Sequence, residues 1–457
     1  MTTLNDHLKN KWVRLIVWAG AVLLTACPYY GWQHLSLLMY EDGAYAWLCS
    51  PEEIAEQAAA NLANGVDASF LCADQFNAVG SLYTYASSAE FVGGLFAGVL
   101  FDNFGPRLCG IIGEVLFFCG YAMLIWSSNS VQMYIPGAVI VGLCANFVAF
   151  PMFILAEVWP ARKQLILASV LAVQAAATAI MPLMYVINHA ANWSLSTSML
   201  IYLLVCVPFV VFYIMSLPRN RIRMKQEIAL ANDEEYVPEE AKDKSGWSGF
   251  LRCLATVEWI GILLWYVVQI MVYNAYNVNL RSFAGEAVAN YLGWIMPVQA
   301  VCVIVFGWIN DKVATLWLCG VLSILNITFM ALGFANNHGL HYFSATLYAI
   351  SNAYIYTTKY TYVSEIFAKE HFGKLSGAVG FAAGILQLFN ILIDQSEPSY
   401  QVLFGSWIAV SAVFLGGVVF LYYRQKVLHI NYANDETDMS EVTETSCTTE
   451  TELTESV

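Results

Sequence analysis

The stretch GVLFDNFGPR, Gly98–Arg107, closes a long apolar run with an acid, a Gly-Pro turn and a base. Downstream, GWINDK, Gly307–Lys312, repeats the Gly-x-x-x-Asp spacing and again ends on a base. A second marker returns at nearly the same offset: Glu157 in AEVWPARK recurs as Glu365 in SEIFAKEHFGK. One Gly-x-x-x-Asp is a weak signal. Two copies, with a second matched marker, point to a duplicated unit.

The sequence around these marks is oily. Of 457 residues, 59% are hydrophobic and 12% charged, against about a quarter charged in a soluble domain. The apolar residues gather into runs near the 20 residues needed to cross a bilayer. Twelve such runs fall at about 12–38, 76–101, 107–127, 131–156, 164–188, 196–217, 256–279, 288–309, 314–334, 340–364, 374–394 and 402–423. No small-residue cleavage site follows the first, which therefore reads as a retained helix. The repeated marks fall after the second and fourth runs of each set of six. The expected fold is an all-α integral membrane protein of twelve transmembrane helices. They form two pseudo-symmetric six-helix halves, the parallel repeat that transporters use.

Basic residues favour the cytoplasmic side. With twelve spans and both termini cytoplasmic, all of the 20 Lys and Arg fall on that side except Arg281 and Lys359. Arg281 sits at the outer end of the seventh run. Lys359 lies within the tenth and is expected to snorkel to the cytoplasmic interface. The loop from Glu41 to Asp74 has acids and no base, and is expected outside. It holds Cys49 and Cys72, which are expected to pair because disulfides persist outside; two free thiols are the alternative. Asn192 opens an Asn-Trp-Ser glycosylation sequon close to the membrane. The chain divides into 12–217, a cytoplasmic linker 218–255, 256–424, and an acidic Ser/Thr-rich tail 425–457 whose composition predicts disorder.

Gly98, Asp102, Gly105 and Arg107 resemble the loop signature between the second and third helices of the major facilitator superfamily. Here Asn103 stands where a base is common. Gly31–Cys49, GWQHLSLLMYEDGAYAWLC, is similar to the L-type neutral amino acid transporters of that superfamily and to amino-acid transporters of apicomplexan parasites, as are the Gly105–Arg107 tripeptide and Phe150-Pro151. The resemblance implies that the second helix meets the eleventh across the halves. Gly93, Gly94 and Gly98 would then face Gly377, Gly380 and Gly384 along a close seam. Asp102 and Arg107 would latch its cytoplasmic end, with Gly105, Glu157, Arg162, Asp311 and Glu365 completing the gate. A plain turn with a solvated acid is the competing reading. It explains neither the repeat nor the glycines.

Polar groups at membrane depth need a use, since a charged Asp at a helix centre costs about 2.5–3.5 kcal/mol on insertion scales. Glu90 lies twelve residues before Asp102, about 18 Å up a helix, near the midplane where such transporters bind substrate. Three roles stay open: partner for a substrate cation, proton carrier, or packing group. Glu114 is expected in an inner ionic network with Arg107, Arg162 and Lys163. Similar arithmetic places Asn146, Gln174, Gln269, Asn352 and Gln387 near mid-depth. Amides offer both donor and acceptor, as a zwitterion requires. Each is also a candidate for helix-to-helix bonding. Tyr29, Tyr30, Tyr83 and Tyr85 are further cavity candidates.

The seven His show no ligand spacing, there is no phosphate loop, and no basic stripe suits nucleic acid. No cofactor or metal is expected, and no enzyme activity. The expected function is a secondary transporter in the plasma membrane. It works by alternating access on a small amino acid, the cargo implied by the resemblance, with protons as the candidate coupling ion. A carrier of another organic solute (a nucleobase or monocarboxylate), a channel and a non-transporting receptor on the same fold are the alternatives.

Overall fold

The computed structural model describes residues 11–64, 69–158, 163–231, 246–310, 312–335, 337–367, 372–396 and 399–428. Arg162, Asp311, residues 232–245 of the linker and the tail beyond Leu428 lie outside these, as do the side chains of Asp102 and Glu157.

The first half opens with α1 (Lys11–Thr25) and α2 (Trp32–Glu41), joined through a short turn at Pro28–Tyr30. After α3 (Pro51–Asn64) come α4 (Ala73–Phe104) and α5 (Pro106–Trp126). α6 (Tyr134–Ala149) continues through Phe150–Phe153 into α7 (Ile154–Val158), and α8 (Lys163–Ala176) through Ala177–Ala179 into α9 (Ile180–Ala191); α10 (Leu195–Ser216) ends the half. Two linker helices, α11 (Arg221–Ala231) and α12 (Gly246–Leu254), precede the second half. That half comprises α13 (Val257–Ala284), α14 (Glu286–Ile295) continued by α15 (Gln299–Asn310), α16 (Thr315–Leu332), α17 (His338–Ile366), α18 (Phe372–Gln387) with α19 (Phe389–Gln395), and α20 (Tyr400–Leu428).

Among the described residues, nine helical segments are long and apolar enough to cross a membrane. The three expected spans outside that set are the first, second and tenth. The first is split at Pro28, where proline removes a backbone donor. The other two, α4 and α17, carry buried polar residues along their length, including Ser87, Ser88, Glu90, Asn352, Thr357 and Lys359. Their low hydropathy comes from facing the protein interior. The opposite pattern marks the periphery: Leu204 on α10 and Val413 on α20 are 70% and 73% exposed, as side chains facing lipid tails would be.

Two close seams join the halves, α4 against α18 and α8 against α15. The first depends on absent side chains. A Cβ at Gly377 would lie 3.3 Å from Leu95 Cα, and one at Gly384 would lie 2.6 Å from the Ser88 carbonyl oxygen. The face of α4 in this seam is therefore Ser88, Phe91 and Leu95, spaced along one side of a 3.6-residue helix. Gly93, Gly94 and Gly98 lie elsewhere, which corrects the expected pairing. Gly93 faces Leu143, Gly94 faces Asn146 and Gly98 faces Phe150, all within the first half. Gly307, the repeat partner of Gly98, does reach a seam: its Cβ would be 2.9 Å from Ala168 Cβ.

The Gly98–Arg107 mark has a local explanation. Gly105 has φ of +94°, which L side chains rarely adopt, and Pro106 opens α5, where its missing N–H costs nothing. Arg107 donates to the carbonyl oxygens of Leu217 (2.9 Å from Nε) and Met215 (3.1 Å) at the end of α10. It thus satisfies carbonyls that a helix terminus leaves unpaired. In the second half, Glu365 accepts from the backbone N–H of Thr315 at 3.1 Å, at the start of α16. Arg107 and Glu365 thus tie helix ends within their own halves in this state, which is closed on the outer side. In the loop before α4, a disulfide joins Cys49 and Cys72. The side bearing this loop is called the outer side below.

Candidate functional site

A cavity lies between the halves, at the level where the rods carrying Pro28, Pro151 and Pro297 break into short tight turns. Irregular backbone is tolerated at membrane depth where it is buried in protein or lines a cavity. The first half contributes Tyr30, Glu90, Phe91, Asn146 and Gln174, and the second Gln299, Tyr356, Thr357, Lys359 and Tyr360. The side chains border about 540 Å³ of space, open solvent included.

Glu90 is the organising group of the first half. The break after α1 turns two consecutive tyrosines toward it. Tyr30 donates its hydroxyl to the carboxylate at 2.7 Å, and the Tyr29 hydroxyl bonds the same carboxylate. Asn146 donates to the Glu90 backbone oxygen at 2.6 Å, its side chain fitted against Gly94. The Tyr30 ring stacks on Tyr356 at 5.4 Å, and Tyr356 on Phe91 at 5.9 Å. One aromatic stack thus spans both halves beside the carboxylate.

Gln174 lines the cavity directly. Asn352 reaches it through Gln299, donating to that side chain at 3.1 Å. Tyr83 packs behind the site, 6.2 Å from Tyr29 and 5.4 Å from Trp32. Gln269 is not in the cavity; it bonds Asn326 of α16 inside the second half. Gln387 is not in it either. It donates to Ser87 at 2.5 Å across the α4–α18 seam. Glu114 is no part of an inner ionic network with Arg107: it is buried and accepts from Thr25 at 2.9 Å, between α5 and α1.

Lys359 departs furthest from expectation. It does not snorkel: it is 5% exposed and its ammonium lies among the rings of Tyr360 (4.8 Å), Phe91 (5.1 Å) and Tyr266 (5.6 Å). Tyr360 is its neighbour on α17, but Phe91 and Tyr266 come from α4 and α13, far away in sequence, and no local signal announces them. A lone base that breaks the charge-side pattern within a Tyr-rich stretch is the one clue the sequence offered.

The outer side of the cavity is sealed by bonds between the halves. Gln33 of α2 donates to the Asn277 backbone and side-chain oxygens at 2.8 and 2.9 Å. Arg281 donates to the Gln33 carbonyl at 2.7 Å, to Ser69 at 2.8 Å and to Glu286 at 2.8 Å. Thr84 donates to Asn274 at 3.1 Å. Each of these lies on the outer side of Glu90, whereas Leu171, Val303 and Tyr360 carry the cavity lining toward the opposite side. The sequence marked Arg281 only as an exception to the charge pattern, and Gln33 not at all.

A hydrogen bond to a charged group is worth about 1.5–3 kcal/mol, and Arg281 donates two such bonds to the other half, at Ser69 and the Gln33 carbonyl. Arg281→Ala is therefore expected to weaken the closed outer face by that order. Cys27, which lines the cavity, would become more reactive toward a membrane-impermeant thiol reagent applied from the outer face. The measurement needs a background lacking the other free cysteines. Unchanged labelling would remove Arg281 from the seal.

The family model of the Major Facilitator Superfamily matches residues 59–390, and the chain belongs to that superfamily of membrane transporters. Three curated relatives come from Toxoplasma gondii. Amino acid transporter 6-1 is 22% identical, over 86% of this chain and 73% of its own length. Arginine transporter 1 is 20% identical, over 90% and 87%. Aromatic and large neutral amino acid transporter 5-3 is 23% identical, over 83% and 76%. Among solved structures, a proton:xylose symporter superposes with a TM-score of 0.63 at 17% identity, covering 92% of this chain and 96% of its own; that likeness concerns the fold.

Proposed function

We propose that this chain is a secondary transporter of a small amino acid, working by alternating access about the cavity between its halves. The observation that carries the reading is the buried carboxylate of Glu90, held by two tyrosine hydroxyls in a cavity closed on the outer side. A buried charge at membrane depth is expensive and marks a substrate or ion path. The names of the three relatives supply the cargo class.

In this reading all twelve rods span the membrane, including the three polar ones. Both termini are cytoplasmic, because that places nearly all Lys and Arg on the favoured side. The plasma membrane is the proposed location. Breaking the Gln33–Asn277 and Arg281 contacts opens the outer side, and the halves close on the inner side in exchange.

The test is uptake of labelled amino acids into vesicles containing the purified chain, with and without a pH gradient. Saturable uptake and counterflow are expected. A panel with nucleobases and monocarboxylates would expose a different cargo, and conductance without counterflow would replace a carrier with a channel.

A further inference from the structure

We propose that Lys359 binds the carboxylate of the transported amino acid, and that its charge, set opposite Glu90, confines this chain to amino acids with no net charge. The proposal rests on the transport reading above and names its substrate class.

The geometry holds an ammonium without satisfying it. Three aromatic rings surround Lys359 Nζ at 4.8–5.6 Å. Ring faces attract a cation but do not accept its three N–H groups as an oxygen does. Among the described residues, Lys359 makes no hydrogen bond or ion pair. Space for the ammonium comes from Gly380 of α18, where a Cβ would stand 3.0 Å from Nζ. The cavity therefore keeps a buried cation with open donors facing the lumen.

Glu90 and Lys359 line that one cavity from opposite halves, and no ion pair joins them. Two opposite charges held apart in a low-dielectric site match the two ends of a zwitterion. The substrate ammonium joins the tyrosine-bound carboxylate and the substrate carboxylate joins Lys359. Bridging the halves in this way also makes substrate part of the contact between them. The site carries no net charge before binding and none after. A lysine or arginine side chain would add a buried positive charge beside Lys359 with no described acid to meet it.

Purified full-length chain in vesicles would be given labelled leucine, phenylalanine, glutamine and arginine, with phenylalanine methyl ester as a competitor lacking the carboxylate. Wild type is expected to favour the neutral amino acids over arginine, and phenylalanine over its ester, by about tenfold or more, the value of a hydrogen bond to a charged group. Lys359→Met is expected to weaken neutral uptake similarly and to abolish discrimination against the ester, which simple loss of packing would not do. Lys359→Arg retains the charge and is expected to keep excluding arginine while binding neutral substrates less well. Gly380→Ala, which pushes on Nζ, is expected to raise KM. Should Lys359→Met fail to fold, the ester discrimination of wild type and the Lys359→Arg variant still decide.

Preference of wild type for arginine, or equal binding of ester and acid, would overturn the proposal while leaving amino acid transport standing. Unchanged discrimination in Lys359→Met would also overturn it. Uptake of no amino acid by wild type would overturn both readings together.

Discussion

Glu90→Gln is expected to weaken amino acid binding by roughly ten- to hundredfold at every pH tested, the equivalent of about 1.5–3 kcal/mol for a hydrogen bond to a charged group. The substitution keeps the side-chain shape and removes the charge proposed to meet the substrate ammonium. It also turns an acceptor-only group into one with two donors, facing tyrosine hydroxyls that now donate to it. An amide oxygen at the position of Glu90 Oε2 can still accept from both Tyr29 and Tyr30. The readouts separate the three roles. A substrate partner loses affinity in exchange and in net uptake alike. A proton carrier keeps substrate-for-substrate exchange and loses accumulation driven by a proton gradient. A packing group keeps both, and wild-type affinity together with wild-type accumulation would remove Glu90 from the mechanism.

The expected duplication rests on local marks, Gly98 with Asp102 and Gly307 with Asp311, at matching places in two sets of runs. Glu90 was legible because helix rise converts sequence distance to depth. Depth is where such reasoning ends. Which way a side chain points around a helix depends on the neighbour, and the neighbour is distant in sequence. Gly98 and Leu95 are one turn apart on α4, yet one meets Phe150 and the other Gly377. The mid-depth amides show the same limit. Gln174 faces the cavity and Gln269 faces Asn326, with nothing in the local sequence to tell them apart. Lys359 was misplaced for an energetic reason. Snorkelling is the default for a lysine near a membrane interface, and it is overridden only by an aromatic surround assembled from α4, α13 and α17.

The Arg281 group shows what a charge pattern conceals. As an exception to the positive-inside rule it reads as noise. In the fold it is 5% exposed and bonds Glu286 of its own half, and Ser69 and the Gln33 backbone of the other. A buried ion pair is weak evidence for stability, because desolvation offsets much of its attraction. The bonds of Arg281 to Ser69 and the Gln33 backbone give it a better account: they cross to the other half, and opening the outer side in the proposed cycle would break them.

Gly384→Leu is expected to abolish turnover, and here the cost can be argued atom by atom. The first added carbon would lie 2.6 Å from the Ser88 carbonyl oxygen, 2.9 Å from Phe91 Cβ and 3.0 Å from Val92 Cγ2. Overpacking typically costs about 1–3 kcal/mol where side chains can shift. Backbone oxygen cannot move aside as a side chain does, so α18 must leave α4. That separation would also strip Gln387 from Ser87 and push Gly380 away from Lys359. Each half keeps its own core, so membrane insertion is expected to survive while uptake is lost. Two controls locate the effect. Gly98→Leu meets Phe150 at 3.5 Å, an ordinary contact within the first half, and is expected to reduce transport less. Gly416→Leu on α20 has no atom within 4 Å of its added carbon and is expected to transport normally. Uptake assayed beside thermal stability in detergent separates a jammed joint from an unfolded protein. Wild-type turnover in Gly384→Leu would mean that the α4–α18 seam is not a joint the cycle uses.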